Sequence, residues 1–386
     1  GFFSTAVNSL LATFDSALAL PLFEFILPVG ISFYTFQSMS YTIDVYRGEA
    51  DAEHNFARFA LYITFFPQLV AGPIERSTRL LPQLRQFVQF DYQRVTSGLR
   101  LIAWGYFKKV VIADRVGVLV DQVYATPQDT ASSGLIIATI LFAIQIYCDF
   151  SGYSDIAIGC ARMIGIDLMT NFRQPYFSSS LREFWRRWHI SLSTWFRDYV
   201  YVPLGGGKVT RYLWYRNLLI VFVVSGLWHG ANWTFIVWGA IHGVGLILEN
   251  VIQTAIQQSD ILKGRFAEAK WMKPVQIALT FFIVTVAWIF FRANSISEAN
   301  YIVTHLFTNF DKHQYLPAQW SVFHLSLSAI FISIMFFIEW LYEKRDLAMR
   351  FMNQPIWLRW SAYLVLVLTI IIFGHDAQGQ FIYFQF

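Results

Sequence analysis

Charge is what this chain has least of. Asp, Glu, Lys and Arg make up 14% of its 386 residues, against about 25% in ordinary soluble domains. The shortage excludes intrinsic disorder, which needs high charge and low hydrophobicity. With a hydrophobic content of 56%, it also argues against a water-soluble core of this size. The net charge of +4 is too small a surplus to attract nucleic acid, so no nucleic-acid partner is expected. Cysteine is equally scarce. Cys148 and Cys160 both lie in apolar stretches without metal or redox spacing, and read as core residues. The sequence holds no G-x-S-x-G elbow, no H-E-x-x-H and no Walker-type loop, which leaves serine-hydrolase and zinc-peptidase mechanisms without motif support. No internal repeat stands out, which counts against inverted-repeat transporters. Residues 1–15 carry no secretory signal, and Gly1 in place of a methionine suggests processing or a longer parent chain.

What remains is the composition of a polytopic membrane protein, with aromatics at 18%. Apolar segments run over 17–43, 59–73, 99–120, 134–148, 152–166, 217–228, 231–252, 275–292, 321–342 and 359–374. Several fall short of the roughly 20 residues a membrane helix needs. Interruptions at His229-Gly230 and around Ser151-Gly152 therefore predict broken or re-entrant helices, tolerated where protein or a polar cavity satisfies the freed backbone. The fold class expected is all-α: a polytopic bundle around a central funnel, with 1–386 as one domain. Lys and Arg concentrate in 76–115, including Lys108 and Lys109, and in 181–216, 263–273 and 344–359. Those regions are expected on the cytoplasmic side. The stretch 121–133 has neither residue and 293–320 has only Lys312, which puts both outside and His229 near the deep end of a hairpin.

Ionisable groups within apolar segments are functional candidates by default. The segment VSGLWHGANW at 224–233 sets His229 between a tryptophan and a glycine, with Asn232 on roughly the same face if the helix continues. Histidine can exchange a proton near neutral pH and so serve as a general base; a buried histidine bonded to a backbone carbonyl is the alternative. Residues 181–199 read as one amphipathic helix. Arg182, Arg186, His189, Ser193 and Arg197 form its polar stripe, and Phe184, Trp188, Leu192, Trp195 and Tyr199 the opposing one. Such a helix can anchor at the interface or turn Arg186, Arg187 and Ser193 toward an anionic ligand such as a nucleotide phosphate. Asp149 and Asp155 flank the Ser151-Gly152 break, where they could line a polar cavity or cap a helix, capping being preferred for Asp155. The FFPQLVAGPI segment at 65–74 reads as a bent structural piece. His242 lies 13 residues beyond His229, but no acidic third ligand is evident, so no metal site is expected.

Taken in order, LPVGISFYTFQ at 27–37, FFPQLVAGPI at 65–74, DFSGYSD at 149–155, FWRRWHISLS at 184–193 and SGLWHG at 225–230 resemble the membrane-bound O-acyltransferases, most closely their bacterial polysaccharide O-acetylating branch. Each piece is weak alone, whereas the ordered set is specific. The resemblance implies a multi-pass protein of the bacterial inner membrane that moves an acyl group from a cytoplasmic thioester to a hydroxyl on the far side. Acetyl-CoA would be the donor substrate, with no bound cofactor. It further implies an extracytoplasmic partner acetyltransferase and a polysaccharide acceptor such as alginate. His229 matches the family's catalytic histidine and His189 its second characteristic histidine. Asn232 enters as a candidate for oxyanion stabilisation and Asp149 as a candidate for substrate binding. The family usually has further helices before the LPVG segment, so the amino end is expected to be truncated. The competing readings are a transporter or flippase using His229 in a substrate or proton path, and a scaffold subunit whose partner does the chemistry.

Overall fold

The computed structural model describes residues 30–259, 272–308, 310, 321–344 and 351–375. The first part of the 17–43 segment, the 263–271 basic loop and Lys312 lie outside the described residues. Among the described residues every regular element is helical. In chain order these are α1 (Ile31–Tyr46), α2 (Phe56–Ile63), α3 (Ser77–Leu84), α4 (Tyr92–Tyr106), α5 (Asp114–Ala125), α6 (Ser132–Met163), α7 (Leu181–Arg187), α8 (Ile190–Phe196), α9 (Arg211–His229), α10 (Trp233–Gln258), α11 (Met272–Arg292), α12 (Ile296–His305), α13 (Val322–Lys344) and α14 (Ile356–Phe373). Within the described residues α6, α10, α11, α14 and residues 322–343 of α13 are long and apolar enough to cross a membrane.

The bundle is organised around α6. Its 32 residues extend about 48 Å at 1.5 Å each, well beyond a hydrocarbon thickness of about 30 Å. Most of its apolar residues are buried, whereas α14 fully buries none and packs on the core only through partly buried residues such as Leu366, Ile370 and Phe373. The break expected at Ser151-Gly152 does not exist, because α6 is continuous through it. Gly152 serves instead as a crossing point. A Cβ on Gly105 of α4 would lie 2.5 Å from the Gly152 carbonyl oxygen, and one on Gly152 would lie 2.8 Å from that of Gly105. One crossing further along, Gly98 and Gly159 repeat the arrangement at 2.6 and 2.7 Å. The spacing of seven on both helices places two glycine pairs on one antiparallel seam. Membrane helices use such small residues to bring backbones into close contact.

The chain passes from α4 to α5 through a π-helical segment, Phe107–Ala113. Lys108 and Lys109, expected as cytoplasmic loop cations, sit within it and face α6. Lys108 Nζ is 2.6 Å from Asp155 and donates to Ser151 Oγ at 2.9 Å. Lys109 Nζ bridges Asp149 at 2.6 Å and Asp114 at 2.8 Å. Lys108 is only 3% exposed, so its partner is what allows a charge at that depth. Asp155 is therefore an ion-pair partner and not a helix cap.

Helix α3 and the segment before it clamp the loop at 164–180. The Glu75 carboxylate accepts from Met169 N–H. Gln83 exchanges side-chain and backbone hydrogen bonds with Asp167 at 3.1 and 2.7 Å, and Arg79 pairs with Asp167 at 2.8 Å. The loop then runs under α6 to deliver Asn171, which is fully buried.

Two outcomes follow for protein purified in detergent. Gly152→Leu should separate α4 from α6 and cost about 1–3 kcal/mol or more by overpacking, read as a lower unfolding midpoint. Lys108→Met leaves the half-buried Asp155 without its cation and should lower the unfolding midpoint. Adding Asp155→Asn should recover much of that loss in the same thermal assay.

Candidate functional site

Helix α9 stops at His229 because Gly230 takes an extended conformation (φ 174°, ψ 152°) and the chain turns back. Helix α10 begins after Asn232, whose side-chain oxygen accepts from Thr234 N–H at 3.1 Å. The helix therefore does not continue through 229–232, and the expected shared face of His229 and Asn232 is replaced by an N-cap. The Asn232 carboxamide is engaged at both ends, since Nδ2 also donates to the Asn294 carbonyl at 3.0 Å. The two antiparallel helices pack closely at Gly226 and Gly239. At the turn, the His229 ring lies edge to face with Trp228 (4.7 Å), Trp238 (5.1 Å) and Phe291 of α11 (5.1 Å). It remains only half-buried, so it is held by aromatics yet keeps surface to offer.

The amphipathic helix expected over 181–199 is in fact broken. Helix α7 ends at Arg187 and α8 starts at Ile190, with His189 between them in the left-handed region at φ 44°, ψ 55°. The aromatic stripe holds: Phe184, Trp188, Leu192 and Trp195 are all buried. The polar stripe does not, because the kink swings His189 inward to 1% exposure. A non-glycine residue in this conformation costs on the order of 1–3 kcal/mol and persists only where its surroundings fix it. Ser193 Oγ donates to the Trp188 carbonyl across the break at 3.2 Å. Ile190 N–H donates to the Asn171 carbonyl at 2.9 Å. Phe150 of α6 lies edge-on to the imidazole at 4.6 Å, and Phe33, Phe172 and Trp228 surround it at 6.3–6.5 Å. Burial, with His229 as the second cause, pushes the His189 imidazole well below its ordinary pKa, so the ring is neutral at physiological pH.

The two histidines thus meet on Trp228, one 6.3 Å and the other 4.7 Å from its ring. Trp228 is itself stacked on Phe36 of α1 at 5.1 Å. The row continues through Trp238 to His242, 5.2 Å beyond it. His242 is fully buried and accepts from Trp185 Nε1 at 3.4 Å. Among the described residues no cluster of His, Cys, Asp and Glu could hold a metal ion.

The other sequence candidates sit apart from this pair. Arg186 is exposed on α7. Arg187 is committed to Glu183 at 2.7 Å and Glu343 of α13 at 2.8 Å. Asp149 holds Lys109. A cavity of about 350 Å³ lies not between the histidines but at the start of α12, lined by Tyr124, Gln128, Asn294, Glu298 and Tyr301. Residues that sequence reasoning missed are Asn171, Phe33, Trp238 and Phe291. Asn171 stands alone in the loop at 164–180 with no spacing to announce it. The aromatics disappear among 71 Phe, Tyr and Trp residues.

Known proteins resemble the chain over most of its length. The family model described as membrane-bound O-acyltransferase family matches residues 47–291, which takes in both histidines. The chain is 43% identical over 274 residues to a "Probable alginate O-acetylase" of Azotobacter vinelandii, covering 71% of this chain and 52% of that protein. It is 35% identical over 302 residues to a "Peptidoglycan O-acetyltransferase" of Helicobacter pylori, covering 71% and 55%. A "Teichoic acid D-alanyltransferase" of Streptococcus thermophilus is 29% identical over 288 residues, covering 68% of each. The chain spans about half the length of the alginate O-acetylases it matches.

The clamp beneath the site is pH-sensitive. Burial pushes the Glu75 carboxyl up from 4.5 to about 7, against the opposing effect of the Met169 N–H and Arg79. The folded state therefore holds a proton that the unfolded chain has already released, and stability falls as pH rises through this window. At about 1.4 kcal/mol per pKa unit the loss is on the order of 3 kcal/mol. Unfolding midpoints from pH 4.5 to 8 should show Glu75→Gln gaining on the wild type as pH rises. A constant difference across that range would contradict the account.

Proposed function

Because the chain belongs to the membrane-bound O-acyltransferase family, we propose that it transfers an acyl group, acetyl by preference, from a cytoplasmic thioester such as acetyl-CoA to a hydroxyl of an extracytoplasmic polysaccharide. The single observation that carries this reading is the half-buried His229 at a helix break, sharing the Trp228 ring with a second, buried histidine. His229 takes the proton of the acceptor hydroxyl as its oxygen attacks the thioester carbonyl. The C–S bond breaks, the proton passes to the leaving thiolate, and the products are an acetyl ester and free CoA. The aromatic wall of Trp228, Trp238 and Phe291 limits water at the reacting carbonyl, which suppresses hydrolysis. His189 orients a reactant from the other side of Trp228.

Arg182 and Arg186, exposed on α7, would meet the phosphates of the donor, whereas Arg187 is occupied by its two carboxylates. The named substrates of the relatives support a cell-envelope acceptor, with alginate and peptidoglycan as the first two to test. The acetyl group could reach them through a partner acetyltransferase outside the cytoplasmic membrane. With labelled acetyl-CoA supplied to membranes carrying the full-length protein, His229→Ala should accumulate normally and lose about 10²–10⁴-fold in label transferred to acceptor. Undiminished transfer in that variant would overturn the assignment. Movement of an unmodified glycan without thioester consumption would point to a flippase instead.

A further inference from the structure

The hydrogen bonds around His189 determine which of its nitrogens carries the proton. Asn171 Oδ1 accepts from Ser191 N–H at 3.2 Å and from Ser191 Oγ at 2.9 Å, and it lies 3.2 Å from His189 Nδ1. A backbone N–H can only donate, so the carboxamide atom facing this group is the oxygen. Its other end is consistent with that orientation, since Nδ2 donates to Ser154 Oγ on α6 at 3.3 Å. With an oxygen fixed against Nδ1, that nitrogen must be the N–H. The opposite tautomer would set two lone pairs against each other. His189 Nε2 is buried and has no hydrogen-bond partner among the described residues.

From this geometry we infer that Asn171 is a positioning residue that fixes His189 in the tautomer protonated at Nδ1, leaving the Nε2 lone pair to accept a hydrogen bond from a ligand hydroxyl. The inference rests on the acyl-transfer reading and deepens it. A neutral imidazole presenting only a lone pair cannot donate to a thioester carbonyl or to the oxyanion derived from it. It can hold the O–H of the acceptor, so His189 belongs to the hydroxyl side of the reaction. The use of an amide and not a carboxylate is part of the design. An Asp in that place would stabilise the imidazolium and turn the ring into a donor. The groups packed on His189 come from α1 (Phe33), α6 (Phe150), the loop (Asn171 and Phe172), α8 (Ser191) and α9 (Trp228). Among them no carboxylate or lysine faces the ring, and the titratable side chain acting on it is His229.

The test is label transfer from acetyl-CoA by the full-length protein in membranes, for Asn171→Ala and Asn171→Asp, each in wild-type and His189→Ala backgrounds. Asn171→Ala should lower kcat about 10–100-fold with the KM for acetyl-CoA unchanged. Asn171→Asp should keep activity at alkaline pH and move the acid limb of the kcat profile upward by about one pH unit or more. Both effects should vanish once His189 is Ala, because Asn171 acts through that ring. Wild-type kcat in Asn171→Ala, or the same loss persisting without His189, would overturn the proposal. If Asn171→Ala does not accumulate, the isosteric Asp variant decides, and an unshifted acid limb overturns it. Full activity of His189→Ala, or no transfer by the wild type, would remove the underlying reading and the proposal with it.

Discussion

A polar group at membrane depth must find its partner inside the protein, and that requirement governs this structure. Lys108 and Lys109 are matched by Asp155 and Asp149 on α6. The Trp185 indole finds His242, and Asn171 spends its carbonyl and carboxamide on the turn that carries His189. Other buried polar atoms have no partner among the described residues, the ring Nε2 of His189 and that of His242 included. What distinguishes His189 is its place, since its ring lies 6.3 Å from that of Trp228, which also contacts His229.

The scaffold that makes this possible is rigid where it needs to be. The glycine seam brings α4 against α6 closely enough for the π-helical segment to reach the α6 carboxylates. The same α6 supplies Phe150 and Ser154, the first against the His189 ring and the second against Asn171. One long helix thus carries both the structural ion pairs and one wall of the site. The clamp from Glu75, Arg79 and Gln83 fixes the loop that delivers Asn171. Catalytic groups are held best by such packed supports, since their own rotamers are then not free to drift.

Parts of this were legible in the sequence because they are periodic or out of place. Apolar runs gave the helices, and a histidine bracketed by tryptophan and glycine in an apolar hairpin gave His229. The ordered motifs gave the family. Three features were misread for definable reasons. Gly152 looked like a breaker, but a glycine also marks a close helix crossing, and nothing local distinguishes the two uses. Lys108 and Lys109 looked like loop cations because a count of charges does not reveal their pairing with Asp155 and Asp149, some 40 residues away. His189 looked like a member of an exposed stripe because regular helical spacing assumes an unbroken helix, and the left-handed turn rotates everything after it. Asn171 carried no local signal at all. Its importance exists only in three dimensions, where a loop residue closes the turn between two short helices.

The central claim is that thioester and hydroxyl meet at Trp228, between the two imidazoles. It is tested most directly by an experimental structure of the full-length protein with a non-reactive acetyl-thioether analogue of acetyl-CoA. The account predicts the analogue's carbonyl carbon in contact with the Trp228 ring, within reach of His229, with its nucleotide toward the α7 arginines. A carbonyl found outside that aromatic cluster, with both imidazoles untouched, would contradict it.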